Sequence, residues 1–211
     1  MIDILTLTLG PVQTNSYIVA DTETNEAVVI DPAWDGHLIA EAAQKRGWQI
    51  KQIWYTHAHF DHIAGAAKLA EALPDPPSVA LHPAEYDLWQ AGGGARLFGF
   101  QVDPGPKPTI DLEHGQTLTL GSAQFEVRLT PGHRPGHCVF YCSSESVLFS
   151  GDLIFYRSVG RTDLPGGNWS DLEKSIREQI YTLPTETRIL SGHGDETSVG
   201  EEKVGNPFVG G

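Results

Sequence analysis

The chain has 211 residues, of which 40% are hydrophobic, and this length suffices to bury a substantial core in one domain, predicted to span residues 1–211. The formal net charge of −13 and the absence of any basic run argue against nucleic acid as a substrate or partner. No stretch of about 18 apolar residues occurs, so no membrane span and no membrane partner are expected.

The cellular compartment is predicted from the N-terminus and the cysteines. The first five residues alternate like a strand and lack a basic region followed by a long apolar core, so no signal peptide is expected. Cys138 and Cys142 lie four residues apart in one predicted strand, about 13 Å at ~3.3 Å per residue, which is too far for a disulfide between them. Free thiols and no export signal predict a cytoplasmic protein.

The N-terminal half is predicted to begin as antiparallel strands at residues 2–9, 16–20 and 27–31. A helix is predicted from Asp35 to Gly47, with Asp35 capping its start and Gly47 its end. The apolar face of this helix comprises Leu38, Ile39, Ala42 and Ala43. A strand at residues 50–55 and a second helix ending before Pro74 follow.

The C-terminal half begins with a predicted loop at residues 91–108, which contains three consecutive glycines and three prolines. Two interpretations stay open: a mobile flap whose aromatic residues contact substrate, or an ordinary surface connection. A helix of this half is predicted to begin at Ser170, with Ser170 and Glu173 as a capping box and an apolar stripe of Leu172, Ile176 and Ile180. The strands of this half are predicted at residues 117–120, 123–129, 137–142, 146–149 and 187–190.

Residues 56–62 read Thr-His-Ala-His-Phe-Asp-His and directly follow an apolar strand. Divalent metals of the zinc type bind imidazole nitrogen and carboxylate oxygen, and a catalytic ion keeps one position open for water. One ion could not comfortably use all four side chains of His57, His59, Asp61 and His62. The segment therefore predicts part of a two-metal site.

Three later segments offer further ligands, each after an apolar strand and small residues: His133, Asp152 and His193. Loops at strand ends carry function on a rigid scaffold, so these three are predicted to complete the site. His137 is interpreted as a solvated strand residue in preference to a group that supports the site. The other histidines are interpreted as having no ligand role: His37, His82 and His114.

With these residues in place, the chain resembles the metallo-β-lactamase fold superfamily and, within it, the glyoxalase II-like hydrolases. The resemblance covers nearly the whole chain and implies an α+β fold, a four-layer αββα sandwich of two mixed β-sheets flanked by helices. It implies one ion held by His57, His59 and His133. It implies a second ion held by Asp61, His62 and His193, with Asp152 bridging both. Asp31 matches a position that supports the ligands.

The resemblance implies a hydrolase in which a hydroxide between the two metals attacks a carbonyl, with Asp61 and Asp152 as the catalytic carboxylates. Zinc is the default metal, and iron or manganese stays open. A thioester such as an S-2-hydroxyacylglutathione suits this chemistry, because a thiol with a pKa near 8.5 leaves without a dedicated general acid. The expected partner is a small-molecule substrate, and the expected state is a monomer or small homo-oligomer.

Two features make glutathione recognition an open question. Glyoxalase II proper carries a C-terminal helical domain and an aromatic residue after its last histidine, whereas Gly194, Asp195 and Glu196 follow His193 here. Arg161 could bind the glycine carboxylate of glutathione, or it could form an ion pair with Asp163.

Three alternatives remain. The segment Gly160–Asp163 also resembles the persulfide dioxygenases, which bind one iron through counterparts of His57, His133 and Asp152. A lactone or ester hydrolase of the same fold is a second alternative, and a non-catalytic binding protein is the third. His59 stands where flavodiiron relatives carry glutamate, which disfavours a di-iron centre that reduces oxygen or nitric oxide. Asp152 stands where many β-lactamases carry cysteine, which disfavours antibiotic hydrolysis.

Overall fold

The computed structural model describes residues 1–210, which form two compact units. The first unit comprises residues 1–112 and 119–123, and the second comprises residues 113–118 and those from 124 onward. The expectation of a single domain over residues 1–211 stays a prediction. No helix within residues 1–210 combines the length and the apolar character that crossing a membrane requires.

The first unit contains a mixed six-stranded sheet, antiparallel from β1 to β3 and parallel from β3 to β6. Its strands, in spatial and chain order, are β1 (Ile2–Leu9), β2 (Thr14–Asp21), β3 (Glu26–Ile30), β4 (Gln49–Trp54), β5 (Ser78–Leu81) and β6 (Ile110–Asp111). Its helices are α1 (Gly36–Lys45), α2 (Phe60–Ile63), α3 (Ala66–Ala72) and α4 (Tyr86–Gln90). Apolar residues of β2 to β5 and of α1 to α3 form one buried core, which fixes the end of β4 where the histidine-rich segment begins.

Helices α1 and α3 meet at an unusually close contact that only glycine permits. A Cβ atom added at Gly36 would lie 2.0 Å from the carbonyl oxygen of Gly65 and 2.4 Å from the amide nitrogen of Leu69. These are backbone atoms, which cannot turn aside as a side chain can. The helix pairing that supports the segment after β4 therefore depends on the missing side chain.

We expect Gly36→Ala to lower the free energy of unfolding by about 3 kcal/mol or more, because overpacking against backbone forces the helices apart. Gly47→Ala is the matched control, because a Cβ there meets nothing within 4 Å and the only penalty is its φ of +74°, about 1 kcal/mol. Denaturant unfolding of the two variants measures both. Equal losses would show that the contact at Gly36 is unimportant.

The second unit is built on another mixed six-stranded sheet, in which β10 pairs parallel with β13 and antiparallel with β9. The strands of this sheet, in spatial order, are β14 (Thr197–Ser198), β13 (Arg188–Ser191), β10 (Val147–Gly151), β9 (Cys138–Cys142), β8 (Ala123–Leu129) and β7 (Thr117–Leu120). A hairpin of β11 (Ile154–Phe155) and β12 (Ser158–Val159) accompanies it, with helices α5 (Trp169–Ser175) and α6 (Val199–Gly205). The core of this unit joins β9, β10 and β13 to both helices.

Most predicted strands are confirmed, and both cysteines are buried free thiols, as expected. Seven elements were not predicted from the sequence, because they are short or lack a long apolar period: β5, β6, β11, β12, β14, α4 and α6. The apolar stripe along α5 and its continuation is confirmed, since Leu172, Ile176 and Ile180 are fully buried.

Two predicted helix caps are wrong. Asp35 occupies the position before α1 but its side chain makes no hydrogen bond to the helix, because its backbone is left-handed with a φ of 49°. Helix α5 begins at Trp169, and Asn168 caps it by accepting a hydrogen bond from the amide of Asp171, so Ser170 lies inside the first turn. Leu38 is also 41% exposed and does not belong to the buried face of α1.

Candidate metal centre

The histidine-rich segment leaves the end of β4 and turns into the short helix α2. His57 and His62 are fully buried, Asp61 is 9% exposed, and His59 is partly exposed. The segment is therefore rigidly placed at the carboxyl end of a parallel strand, where loops carry functional groups on a fixed frame.

The distances between donor atoms in the first unit fit metal coordination. Two donors that bind one ion at about 2.1 Å in a tetrahedral shell lie about 3.4 Å apart. His57 Nε2 and His59 Nδ1 are 3.1 Å apart. Asp61 Oδ2 and His62 Nε2 are 3.4 Å apart. Each pair thus has the spacing of two ligands of the same ion.

The second unit places one carboxylate beside two histidines. Asp152 follows β10, His133 lies in the turn after β8, and His193 follows β13. Asp152 Oδ2 lies 3.7 Å from His133 Nε2 and 3.5 Å from His193 Nε2. One carboxylate oxygen thus lies at coordination spacing from two imidazole nitrogens. Histidine and aspartate side chains are positioned for metal binding in both units.

Hydrogen bonds around Asp31 fix which nitrogen of two histidines carries the lone pair. Thr56 donates its only hydroxyl proton to Asp31 Oδ2 at 2.6 Å. Its oxygen, 3.0 Å from His57 Nδ1, must then accept from that ring. His62 Nδ1 lies 2.9 Å from Asp31 Oδ2 and donates to it. Both rings consequently present a Nε2 lone pair to a metal.

The ring of His133 is oriented in the same way by a backbone group. Its Nδ1 lies 2.8 Å from the carbonyl oxygen of Arg161, which can only accept a hydrogen bond. Nε2 of His133 therefore carries the lone pair, on the side of the ring where Asp152 lies. Such outer partners raise the basicity of a ligand and fix its orientation.

The metallo-beta-lactamase superfamily model matches residues 9–193. The chain belongs to the metallo-β-lactamase superfamily. The metallo-β-lactamase fold predicted from the sequence, with two mixed β-sheets flanked by helices, is confirmed. A solved structure of the BLEG-1 B3 metallo-beta-lactamase is 37% identical with a TM-score of 0.91, covering 100% of both chains. A di-iron-bound structure of TTHA1623 is 40% identical with a TM-score of 0.88, covering 97% of this chain and 99% of that one.

Three relatives of this superfamily carry names that bear on function. The probable metallo-hydrolase YqgX of Bacillus subtilis is 37% identical over 96% of this chain and 95% of its own length. The hydroxyacylglutathione hydrolase GloC of Haemophilus influenzae is 30% identical over 93% of each. The mitochondrial persulfide dioxygenase of Mus musculus is 32% identical over 92% of this chain and 70% of its own length.

The interpretation of His137 as a solvated strand residue is wrong. His137 is fully buried, and its Nε2 accepts a hydrogen bond from the backbone amide of Asp152 at 3.2 Å. Its Nδ1 therefore carries the proton and donates to the hydroxyl of Thr130, 2.9 Å away. His137 holds the backbone of the predicted bridging residue in this member of the superfamily. Its spacing of four residues from His133 was the available signal.

We expect His137→Leu to lower the free energy of unfolding of metal-free protein by about 1–3 kcal/mol, because the buried amide of Asp152 loses its acceptor. His137→Gln retains an acceptor oxygen and should lose distinctly less. Denaturant unfolding in the presence of a chelator compares the two variants without any contribution from metal. Leucine and glutamine variants of equal stability would contradict this role for His137.

The side chain of Arg161 forms an ion pair with Asp163, the second of the two predicted possibilities. Nε and Nη2 of Arg161 each donate a hydrogen bond of 2.7 Å to a different oxygen of Asp163. Both side chains are more than half exposed. The Arg161 guanidinium lowers the pKa of Asp163 from 3.8 to about 2.

This pKa yields a test of the ion pair. Because the pKa of Asp163 is lowered on folding, the pair stabilises the fold above about pH 4, and that stabilisation is lost as the pH falls through about 2. At about pH 3, NMR of the Asp163 carboxyl carbon should report a mostly ionised group in the wild type and a mostly protonated one in Arg161→Gln. Identical titration of the two proteins would contradict the pairing.

The remaining histidines contact backbone groups or solvent. His82 accepts a hydrogen bond from the amide of Ala84, and His114 accepts one from the amide of Leu129. His37 is exposed on α1. Their absence from the ligand set stays a prediction.

The glycine-rich loop is anchored to the histidine-rich segment. The amide of Phe60 donates to the carbonyl oxygen of Gly93 at 3.0 Å. The Phe60 ring also packs against Phe98 and Phe100, with centroids 5.3 Å and 5.6 Å away. Residues 95–98 form a 3₁₀ turn, in which Leu97 is 74% exposed. A substrate-binding flap stays a prediction for this loop.

Sequence reasoning missed several groups that hold the ligands in place. Thr14 donates to Asp61, and Thr56 joins Asp31 to His57. The carboxylate of Glu85, which is fully buried, accepts from the amide of Ala58. Thr56 was visible inside the segment, but Thr14 and Glu85 lie 47 and 27 residues away from their partners, and no local pattern marks them.

Proposed function

We propose that this protein is a binuclear metal-dependent hydrolase that acts on a thioester such as an S-2-hydroxyacylglutathione. One ion would be held by His57, His59 and His133. The other would be held by Asp61, His62 and His193, with Asp152 bridging the two. Zinc is the first metal to test, with iron and manganese next, and the di-iron-bound relative makes iron a serious candidate.

The position of Asp152 is the observation that carries this proposal. Asp152 Oδ2 lies 3.7 Å from His133 Nε2 and 3.5 Å from His193 Nε2, which the proposal assigns to different ions, so one carboxylate could serve both. The adjacent Asp61 and His62, also at ligand spacing, supply the second ion with a set of its own. A mononuclear centre would leave this second set without a purpose.

The chain's own residues prepare the site for hydrolysis. When bound, two divalent ions make water nucleophilic at neutral pH and polarise the substrate carbonyl. Asp61 orients the attacking water, and Asp152, as a ligand common to both sets, keeps the separation of the two sets fixed. Asp31, Thr56 and the carbonyl of Arg161 fix ring tautomers beforehand, so that the ligands need no rearrangement.

A thioester is the preferred substrate class for two reasons. A thiol leaving group with a pKa near 8.5 departs as a thiolate, so no dedicated proton donor is required. The similarity to hydroxyacylglutathione hydrolase GloC, over nearly the full length of both chains, supports the same class. The rates measured on a panel of thioesters identify the acyl and thiol parts of the substrate.

The mononuclear-iron persulfide dioxygenase is the second candidate, supported by the 32% identity to the mouse enzyme and by the segment Gly160–Asp163. It predicts oxygen consumption with glutathione persulfide, whereas the hydrolase predicts thiol release without oxygen uptake.

The first measurement is elemental analysis of protein purified without chelators. We expect about two metal ions per chain, followed by thiol release from S-acylglutathiones in a panel that also contains esters, lactones and a β-lactam. About one iron per chain with oxygen uptake on glutathione persulfide would transfer the assignment to the dioxygenase. Metal-loaded protein that leaves every thioester, ester and lactone intact would refute the hydrolase.

We expect Asp61→Ala to reduce thioester hydrolysis at least about 100-fold, because the second ion loses a ligand and the nucleophile loses its orienting group. Asp3→Ala is the matched control, since Asp3 is an exposed carboxylate on β1. Thiol release under saturating metal measures both. A full rate in Asp61→Ala would contradict the two-metal mechanism, because a mononuclear centre does not need this carboxylate.

A further inference from the structure

Thr14 makes a buried hydrogen bond to a predicted metal ligand. It begins β2, is fully buried, and donates from Oγ1 to Asp61 Oδ2 at 2.9 Å. The same Oδ2 lies 3.4 Å from His62 Nε2. Thr14 therefore holds the oxygen that faces the neighbouring ligand of the second ion.

This contact belongs to a pattern along one face of β2. Alternate residues of a strand share a face, so the side chains of Thr14 and Ser16 point the same way. Ser16 Oγ donates to the carbonyl oxygen of Asp31 at 2.6 Å and accepts from the amide of Ala33 at 2.9 Å. Two buried hydroxyls of one strand thus contact Asp61 and Asp31.

We propose that Thr14 is a positioning residue that sets the affinity of the protein for its second metal ion. This inference rests on the two-metal site of the proposed function. The χ2 torsion of an aspartate is broad, so a carboxylate without a fixed donor samples many orientations. The hydroxyl of Thr14 restricts Asp61 to the orientation that faces His62. The entropic cost of ordering this carboxylate is therefore smaller when the metal binds.

The effect should be confined to one of the two ions. The other predicted pair of the first unit, His57 and His59, is oriented through Thr56 and Asp31. Within residues 1–210, no hydrogen bond joins Thr14 to Thr56 or to Asp31. Removing the hydroxyl should therefore weaken one of the two binding steps, that of the ion assigned to Asp61 and His62, and leave the other unchanged. A general loss of folding would weaken both steps.

The experiment is a zinc titration of metal-free protein against a chromophoric chelator, which resolves the two binding steps without any activity assay. We expect Thr14→Val, which keeps the shape of threonine, to weaken one of the two steps about 10–100-fold and to leave the other unchanged. Thr14→Ser keeps the hydroxyl and should remain within about threefold of the wild type.

Thr187→Val is the matched control for burial. Thr187 is fully buried in the second unit, and its hydroxyl has no hydrogen-bond partner within residues 1–210. This variant should titrate like the wild type. If Thr14→Val does not fold, as judged by thermal unfolding of the metal-free protein, Thr14→Ala makes the same comparison with Thr14→Ser.

The outcomes separate this inference from the proposed function. Wild-type protein that binds fewer than two ions would refute the two-metal site itself. Wild-type protein that binds two ions, with Thr14→Val or Thr14→Ala unchanged in both steps, would refute only the role of Thr14. Equal weakening of both steps in Thr14→Val would also overturn it, because the effect would then be structural.

Discussion

The carboxylate of Asp31 is the interaction on which the histidine-rich segment depends. It lies at the end of β3, beside the end of the parallel strand β4, and accepts hydrogen bonds from the amide and hydroxyl of Thr56 and from the ring of His62. One buried anion thereby joins the first and last parts of a segment of seven residues. A neutral side chain could accept no more than two of these bonds without turning a donor toward Thr56 or His62.

The backbone of Asp31 is strained in the conformation that places its carboxylate there. Its φ of 51° lies in the left-handed region, which is costly for a residue other than glycine. Two hydrogen bonds secure it, from the Asp31 amide to the carbonyl oxygen of Trp54 and from Ser16 to the Asp31 carbonyl. Strain that the surrounding contacts sustain in this way is typical of functional sites, and here it aims a carboxylate at the ring of His62 and the hydroxyl of Thr56.

The candidate ligands are visible in the sequence, whereas most of the groups that contact them are not. Imidazoles and carboxylates at fixed spacing after apolar strands are a local pattern, and residues 56–62 show it fully. The donors and acceptors behind the ligands come from distant parts of the chain, as with Thr14, so they follow from tertiary pairing. His137 was misread because a histidine just before a strand has no local sign of burial, and Ser170 because Asn168 competes for the same cap two residues earlier.

Arg161 shows how a single residue can serve the site in a way that its side chain does not reveal. Its carbonyl oxygen orients His133, while its guanidinium is already bound through two hydrogen bonds to Asp163. The first role needs only a backbone and survives most substitutions. The second means that an anionic substrate must displace a carboxylate that stays ionised down to about pH 2. Since exposed ion pairs contribute little free energy, about 0–1 kcal/mol, breaking this pair costs little. Any binding of a substrate carboxylate by Arg161 would therefore be an exchange of one anion for another.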